Sequence, residues 1–140
     1  MASWIVVISL LLSAAAGLSA TEHRSTPGTI IKSEKYEGEA GQLLKRARAG
    51  DVDAEFQLGM ALEHGNGVTR NYTRAREWYQ KAAEAGDPPA QNNLGALLAK
   101  GLGGATDATG AVRWYLRAAV SGLAAAQNNL AYMYSTGQGT

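Results

Sequence analysis

Apolar and small residues recur along the chain at helical spacing. Ala54, Leu58, Ala61 and Leu62 stand at i, i+4, i+7 and i+8, one apolar stripe along a helix. Ala75, Trp78, Tyr79, Ala82 and Ala83 form a second stripe, which returns at Ala111, Trp114, Tyr115, Ala118 and Ala119. Between the stripes lie the triplets Gly65-x-Gly67 and Gly101-x-Gly103. Glycine ends a helix readily because it tolerates positive φ at the C-terminus. Asn71 and Asp107 then stand where an N-cap is wanted. Gly86 and Gly122 end the second helices, and Asp87-Pro88 restarts the chain as cap plus first-turn proline. Glu77 and Lys81 are expected to pair at i,i+4 on the outer face.

The pattern repeats at an offset of 36 residues. Residues 54–89 fall over 90–125, and 126–140 begin a third copy. Ala54, Ala90 and Ala126 coincide, as do Leu58, Leu94 and Leu130, and Gly65, Gly101 and Gly137. Upstream, Leu43 to Ala54 lies over Tyr79 to Ala90, so residues 37–53 read as a degenerate half-repeat. Its helix, Glu37 to Ala49, has Gln42 where the others have tryptophan and is expected to act as a cap. One helix pair cannot bury its stripe alone, so neighbouring pairs must stack into a solenoid. Small residues (Gly59, Gly95, Ala82, Ala118) let helix axes approach, and the Trp and Tyr side chains fill the space between. The pattern reaches Thr140 where a second helix would begin. Two readings of that stay open: further repeats beyond Thr140, or a partner that covers the last apolar face.

The N-terminus is a different kind of sequence. Residues 1–21 carry no charged side chain; Trp4 to Leu12 is strongly apolar, and Ser13 to Ala20 is rich in small residues. That order fits a secretory signal, residues 1–20, cleaved after Ala20 or after Ala16. No Lys or Arg precedes the apolar core, and the alternative is an uncleaved anchor. The expected location is therefore secreted or periplasmic, or membrane-anchored if the segment stays. Residues 21–36 read as a polar, flexible lead-in.

Composition removes several kinds of chemistry. The net charge is +1, from 13 Lys+Arg against 12 Asp+Glu, which gives no basic surface for nucleic acid. Cysteine is absent, so there is no disulfide, thiolate metal site or cysteine nucleophile. The two histidines, His23 and His64, have no ligand spacing. No G-x-S-x-G elbow is present. Gly101-Leu102-Gly103-Gly104 lacks the Lys-Ser/Thr of a phosphate loop and reads as a helix connector. Asn71-Tyr72-Thr73 is a glycosylation sequon only in a eukaryotic source, and otherwise a helix cap. No cofactor, metal or catalytic residue is expected.

A binding surface is the better expectation. The first helices of such a solenoid line its concave face. Opposite the Ala54/Leu58 stripe stand Phe56, Met60 and Glu63, then Asn92, Ala96 and Ala99, then Asn128, Tyr132 and Ser135. Phe56, Met60, Asn92, Asn128 and Tyr132 are the candidate contacts for a protein or peptide ligand. An Asn side chain offers both donor and acceptor to a peptide backbone. Asn93 and Asn129 are expected to bond between repeats instead.

These residues resemble the Sel-1-like repeats, relatives of the tetratricopeptide repeats. The shared pattern is A-x-x-x-L-G, G-x-G, then A-x-x-W-Y-x-x-A-A-x-x-G. Here it is carried by Ala90/Leu94-Gly95, Gly101/Gly103 and Ala111/Trp114-Tyr115/Ala118-Ala119/Gly122. Departures are Leu62 and Leu98 where the family has tyrosine, Gly104 in place of the valine seen at Val68, and Ala131 in place of glycine. The resemblance implies an all-α fold, a right-handed α/α superhelical solenoid. It implies a non-catalytic adaptor, assembly factor or regulator. It leaves two alternatives: a β-lactamase-like cell-envelope enzyme or enzyme activator, and a fragment of a longer structural array.

Overall fold

The computed structural model describes Tyr36 and residues 38–140; the expected signal segment and the lead-in before Tyr36 lie outside the described residues. The described residues fall in one compact unit, Glu34–Thr140. They form six helices: α1 Gly38–Arg48, α2 Val52–His64, α3 Tyr72–Glu84, α4 Pro88–Lys100, α5 Ala108–Val120 and α6 Ala124–Ser135. Each packs on its neighbours in chain order, α1 on α2 through α5 on α6. The all-α helix-loop-helix array expected from the repeat is what the chain adopts. No helix of the described residues is long and apolar enough to cross a membrane.

Capping follows the sequence closely. Asp51, Asn71, Asp87 and Asp107 each accept a hydrogen bond from the backbone N–H three residues on, at 2.7–3.1 Å. The counterpart before α6 is Leu123, which makes no side-chain cap. A missing cap costs about 1 kcal/mol, so α6 starts less firmly than α2, α3, α4 and α5. Gly65 and Gly101 close the first helices in the left-handed region, at φ 76° and 66°. The second glycine of each triplet has another task. A Cβ on Gly103 would overlap the Tyr72 carbonyl, and one on Gly139 the Ala108 carbonyl. The loop of one repeat thus sits directly on the first turn of the preceding repeat's second helix.

The core is built on the same register. Leu58, Leu94, Tyr79, Ala75, Ala82, Ala90 and Ala111 are completely buried. A Cβ on Gly59 would lie 2.6 Å from the Tyr79 ring, and one on Gly95 2.8 Å from the Tyr115 ring. These glycines bring each first helix onto the tyrosine of its own second helix. The expected Glu77–Lys81 pair does not form among the described residues. Lys81 Nζ instead lies over the Trp78 ring at 4.2 Å, and its register counterpart Arg117 over Trp114 at 4.7 Å. An indole face gives the cation a partly desolvated partner, worth more than an exposed ion pair.

One register position breaks the pattern. Gln91 Nε2 donates to the Ala83 carbonyl at 3.2 Å, and Gln127 Nε2 to the Ala119 carbonyl at 3.2 Å. The counterparts in the first repeat are Glu55 and Ala47, both buried. An ionised carboxylate has no proton to donate there. Burial holds the Glu55 carboxyl above the usual carboxylate range; Lys81 pulls it down, and Asp51 pushes it up. A carboxyl raised in the fold disfavours folding once ionised. Its cost is absent below the unfolded value and grows as pH rises through that value to the folded one. Glu55→Gln should therefore stabilise the chain by about 1 kcal/mol at neutral pH. The gain should shrink in acid, where Glu55 carries its own proton. Thermal melts across pH test this; a variant less stable than the parent at neutral pH would refute it.

Candidate functional site

The expected binding residues fall on the first helices: Phe56 and Met60 on α2, Asn92 on α4, and Asn128 and Tyr132 on α6. Phe56 and Met60 on α2 are half-buried against the core. The Phe56 ring lies 5.9 Å from that of Tyr79, tilted by 38°. Asn92 on α4 is half-buried, whereas Asn128 on α6 is exposed. Tyr132 is 61% exposed.

The amides on this face form a chain of hydrogen bonds that crosses the repeats. Asn129 Nδ2 donates to Asn92 Oδ1 at 2.9 Å. Asn92 Nδ2 donates to Asn93 Oδ1 at 3.3 Å, and Asn93 Nδ2 to the Tyr79 hydroxyl at 3.3 Å. Tyr79 donates in turn to Glu63 Oε2 at 2.7 Å. Every link donates in the same direction, ending on a carboxylate, and such chains polarise one another. Burial pushes the Tyr79 phenol well above its ordinary value; the bond to Glu63 raises it further, and that from Asn93 opposes this. The hydroxyl therefore stays a donor across the working pH range. Asn93 and Asn129 bond between repeats, as the sequence suggested. Asn92 is held in the same chain, which leaves Asn128 and Tyr132 as the open side chains of the column.

Two of the five expected residues, Phe56 and Met60, meet in a groove of about 530 Å³. Ala40 and Leu43 of α1 form its other wall, with Glu39 and Asp53 among the residues that line it. Asn92, Asn128 and Tyr132 lie outside that groove. Its α1 residues were missed from the sequence; the register of Leu43 with Tyr79 was the available signal. A smaller cavity of about 250 Å³, on the second-helix side, is lined by Asp107, Gly110, Arg113, Trp114 and Arg117. Among the described residues, no group of three or more His, Cys, Asp or Glu is placed to hold a metal ion.

The helix pairs, the glycine–tyrosine contacts and the loop seats all recur at the spacing of one known repeat. The Sel1 repeat family model matches residues 52–87, 88–122 and 124–140, more than half of the chain. The chain belongs to the Sel1 repeat family. Among solved structures, this Sel1 repeat protein is similar to one from Oxalobacter formigenes, with TM-score 0.69 and 35% identity over 72% of this chain and 42% of that one. It is also similar to a protective antigen of uropathogenic Escherichia coli strains that displays the same repeat fold, with TM-score 0.70 and 38% identity. That match covers 74% of this chain and 22% of the antigen. A curated relative, the chitin synthase regulator SKT5 of Saccharomyces cerevisiae, is 50% identical over 50 residues. The aligned stretch is 35% of this chain and only 7% of the regulator.

Proposed function

We propose that this Sel1 repeat protein is a non-catalytic adaptor or regulator. It binds a protein or peptide through the face of its first helices. The observation that carries this is the amide chain from Asn129 to Glu63. It fixes the side chains of that face across three repeats, and beside it stand the exposed Asn128 and Tyr132. A rigid face with an open amide and an open aromatic suits a peptide, because little ordering entropy is lost on binding. That a curated relative is a regulator fits the same reading. We further propose export, on the strength of the apolar and small-residue order of residues 1–20.

The test is a pull-down from source extract with the chain and an Asn128→Ala/Tyr132→Ala variant. The variant should keep its helicity and retain less than roughly a tenth of the captured partner, as expected for loss of an interface aromatic. N-terminal sequencing of the chain recovered from the source should begin at Thr21. Undiminished capture by the variant would move the binding face elsewhere. Turnover of a chromogenic β-lactam by the pure chain would overturn the non-catalytic assignment.

A further inference from the structure

The groove between α1 and α2 differs from the later helix interfaces in a way the register makes plain. The helix α3, which packs between its own first helix α2 and the following α4, buries Ala75, Tyr79 and Ala82 completely, whereas α1, its counterpart, has no first helix before it among the described residues. Their counterparts on α1 are Glu39, Leu43 and Arg46. Of these only Leu43 is buried; Glu39 and Arg46 are exposed. Charged residues therefore stand where the following repeat has alanine. The apolar floor of Leu43, Phe56 and Met60 stays open between them.

The charged side chains in the lining have one sign, although Arg46 stands just outside it and pairs with Asp53. Among the described residues that line the groove, the charged ones are Glu39 and Asp53. Arg46 is engaged with Asp51 at 2.7 Å and reaches Asp53 only at 3.6 Å. Gln57 Nε2 donates to Asp53 at 2.7 Å, which holds that carboxylate at the groove's edge. An apolar floor with a carboxylate rim complements a side chain that has an apolar stem and a cationic head.

We propose that this groove is the seat for a basic segment of a partner protein. A lysine or arginine lays its stem on Leu43, Phe56 and Met60 and places its head toward Glu39 and Asp53, with an adjacent apolar residue filling the remaining floor. This deepens the binding role proposed above and rests on it, because Phe56 and Met60 belong to the same first-helix face. It adds the chemistry of the ligand: cationic and apolar in alternation, not acidic.

The probe is a fluorescent amphipathic peptide of leucine and lysine, about twelve residues or roughly 18 Å as a helix, with a leucine–glutamate counterpart. Both are titrated into the full chain, into Glu39→Gln/Asp53→Asn, and into Asn128→Ala/Tyr132→Ala, with helicity checked for each. The lysine peptide should bind the parent, and the glutamate peptide should not. The carboxylate variant should bind the lysine peptide roughly tenfold more weakly, the combined effect of two part-exposed ion pairs. The Asn128/Tyr132 variant should bind it as the parent does. Equal binding of the two peptides, no binding to the parent, or no effect of the carboxylate changes overturns the proposal. Loss of binding in the Asn128/Tyr132 variant alone overturns the groove while supporting the wider face. Sedimentation of the chain alone runs alongside. A dimer that Glu39→Gln/Asp53→Asn dissolves would give the groove to a second copy and overturn the peptide assignment.

Discussion

Replacing Leu94 by alanine is expected to cost about 2–5 kcal/mol of stability. Leu94 is completely buried. It stands on α4, which packs against α3 on one side and α5 on the other. Truncation removes the transfer energy of its methyl groups. It also leaves a cavity that two helix interfaces would have to close together. For an array of this size each kcal/mol moves the midpoint by about 4–8 °C, so the melt should fall by roughly 10 °C or more. The register supplies an internal control. Leu130 holds the same position in the third copy but is only half-buried. Leu130→Ala should therefore cost less than about 1 kcal/mol. Circular dichroism melts of the two variants decide the matter. If Leu94→Ala melts with the parent, or the two variants shift alike, the stacked core described above is wrong.

Much of this core is legible in the amino-acid sequence. The helices, their aspartate and asparagine caps, and the close approach at Gly59 and Gly95 follow from periodicity and residue size. These are local properties, and the repeat states them more than once. Most of what was not legible depends on contacts between repeats. Gly103 reads as a helix breaker, yet its lack of a Cβ is needed against the Tyr72 carbonyl. Asn92 and Asn93 are neighbours of one type, and helix geometry alone assigns one outward and one between repeats. The structure joins them, because Asn129 reaches Asn92 from the next first helix at 2.9 Å. Lys81 had two partners in reach, and local spacing could not rank a carboxylate against an indole face. The groove was hidden for a related reason. Phe56 and Met60 were found on α2, but the wall opposite belongs to α1, whose departures at Glu39 and Arg46 matter only once the register with α3 is drawn.

The glycine at the centre of the first repeat gives the sharpest test of that packing. In an exposed helix, Gly→Ala gains about 1 kcal/mol of helix propensity. At Gly59 the sign should reverse. The new Cβ would lie 2.6 Å from two atoms of the Tyr79 ring. The ring has nowhere to go. It is completely buried, and its hydroxyl is held between Glu63 and Asn93. Overpacking of this kind costs about 1–3 kcal/mol, so Gly59→Ala should be destabilising on balance. Gly59→Val, with two further methyl groups pressed on the ring, should cost about 3 kcal/mol. Gly95→Ala should cost less, because Tyr115 stands slightly farther away at 2.8 Å and has no hydrogen-bond partner among the described residues. Tyr79→Phe tests the cause directly. Freed from its two bonds, the ring can shift, so Gly59→Ala should cost less in the Tyr79→Phe background than alone, a coupling visible in a double-mutant cycle. Gly59→Ala melting at or above the parent would show that α2 and α3 are not held at this distance. The hydrogen-bond chain that orders the first-helix face would then lose its fixed end, since Tyr79 is the link between the packed core and the amides of α4 and α6.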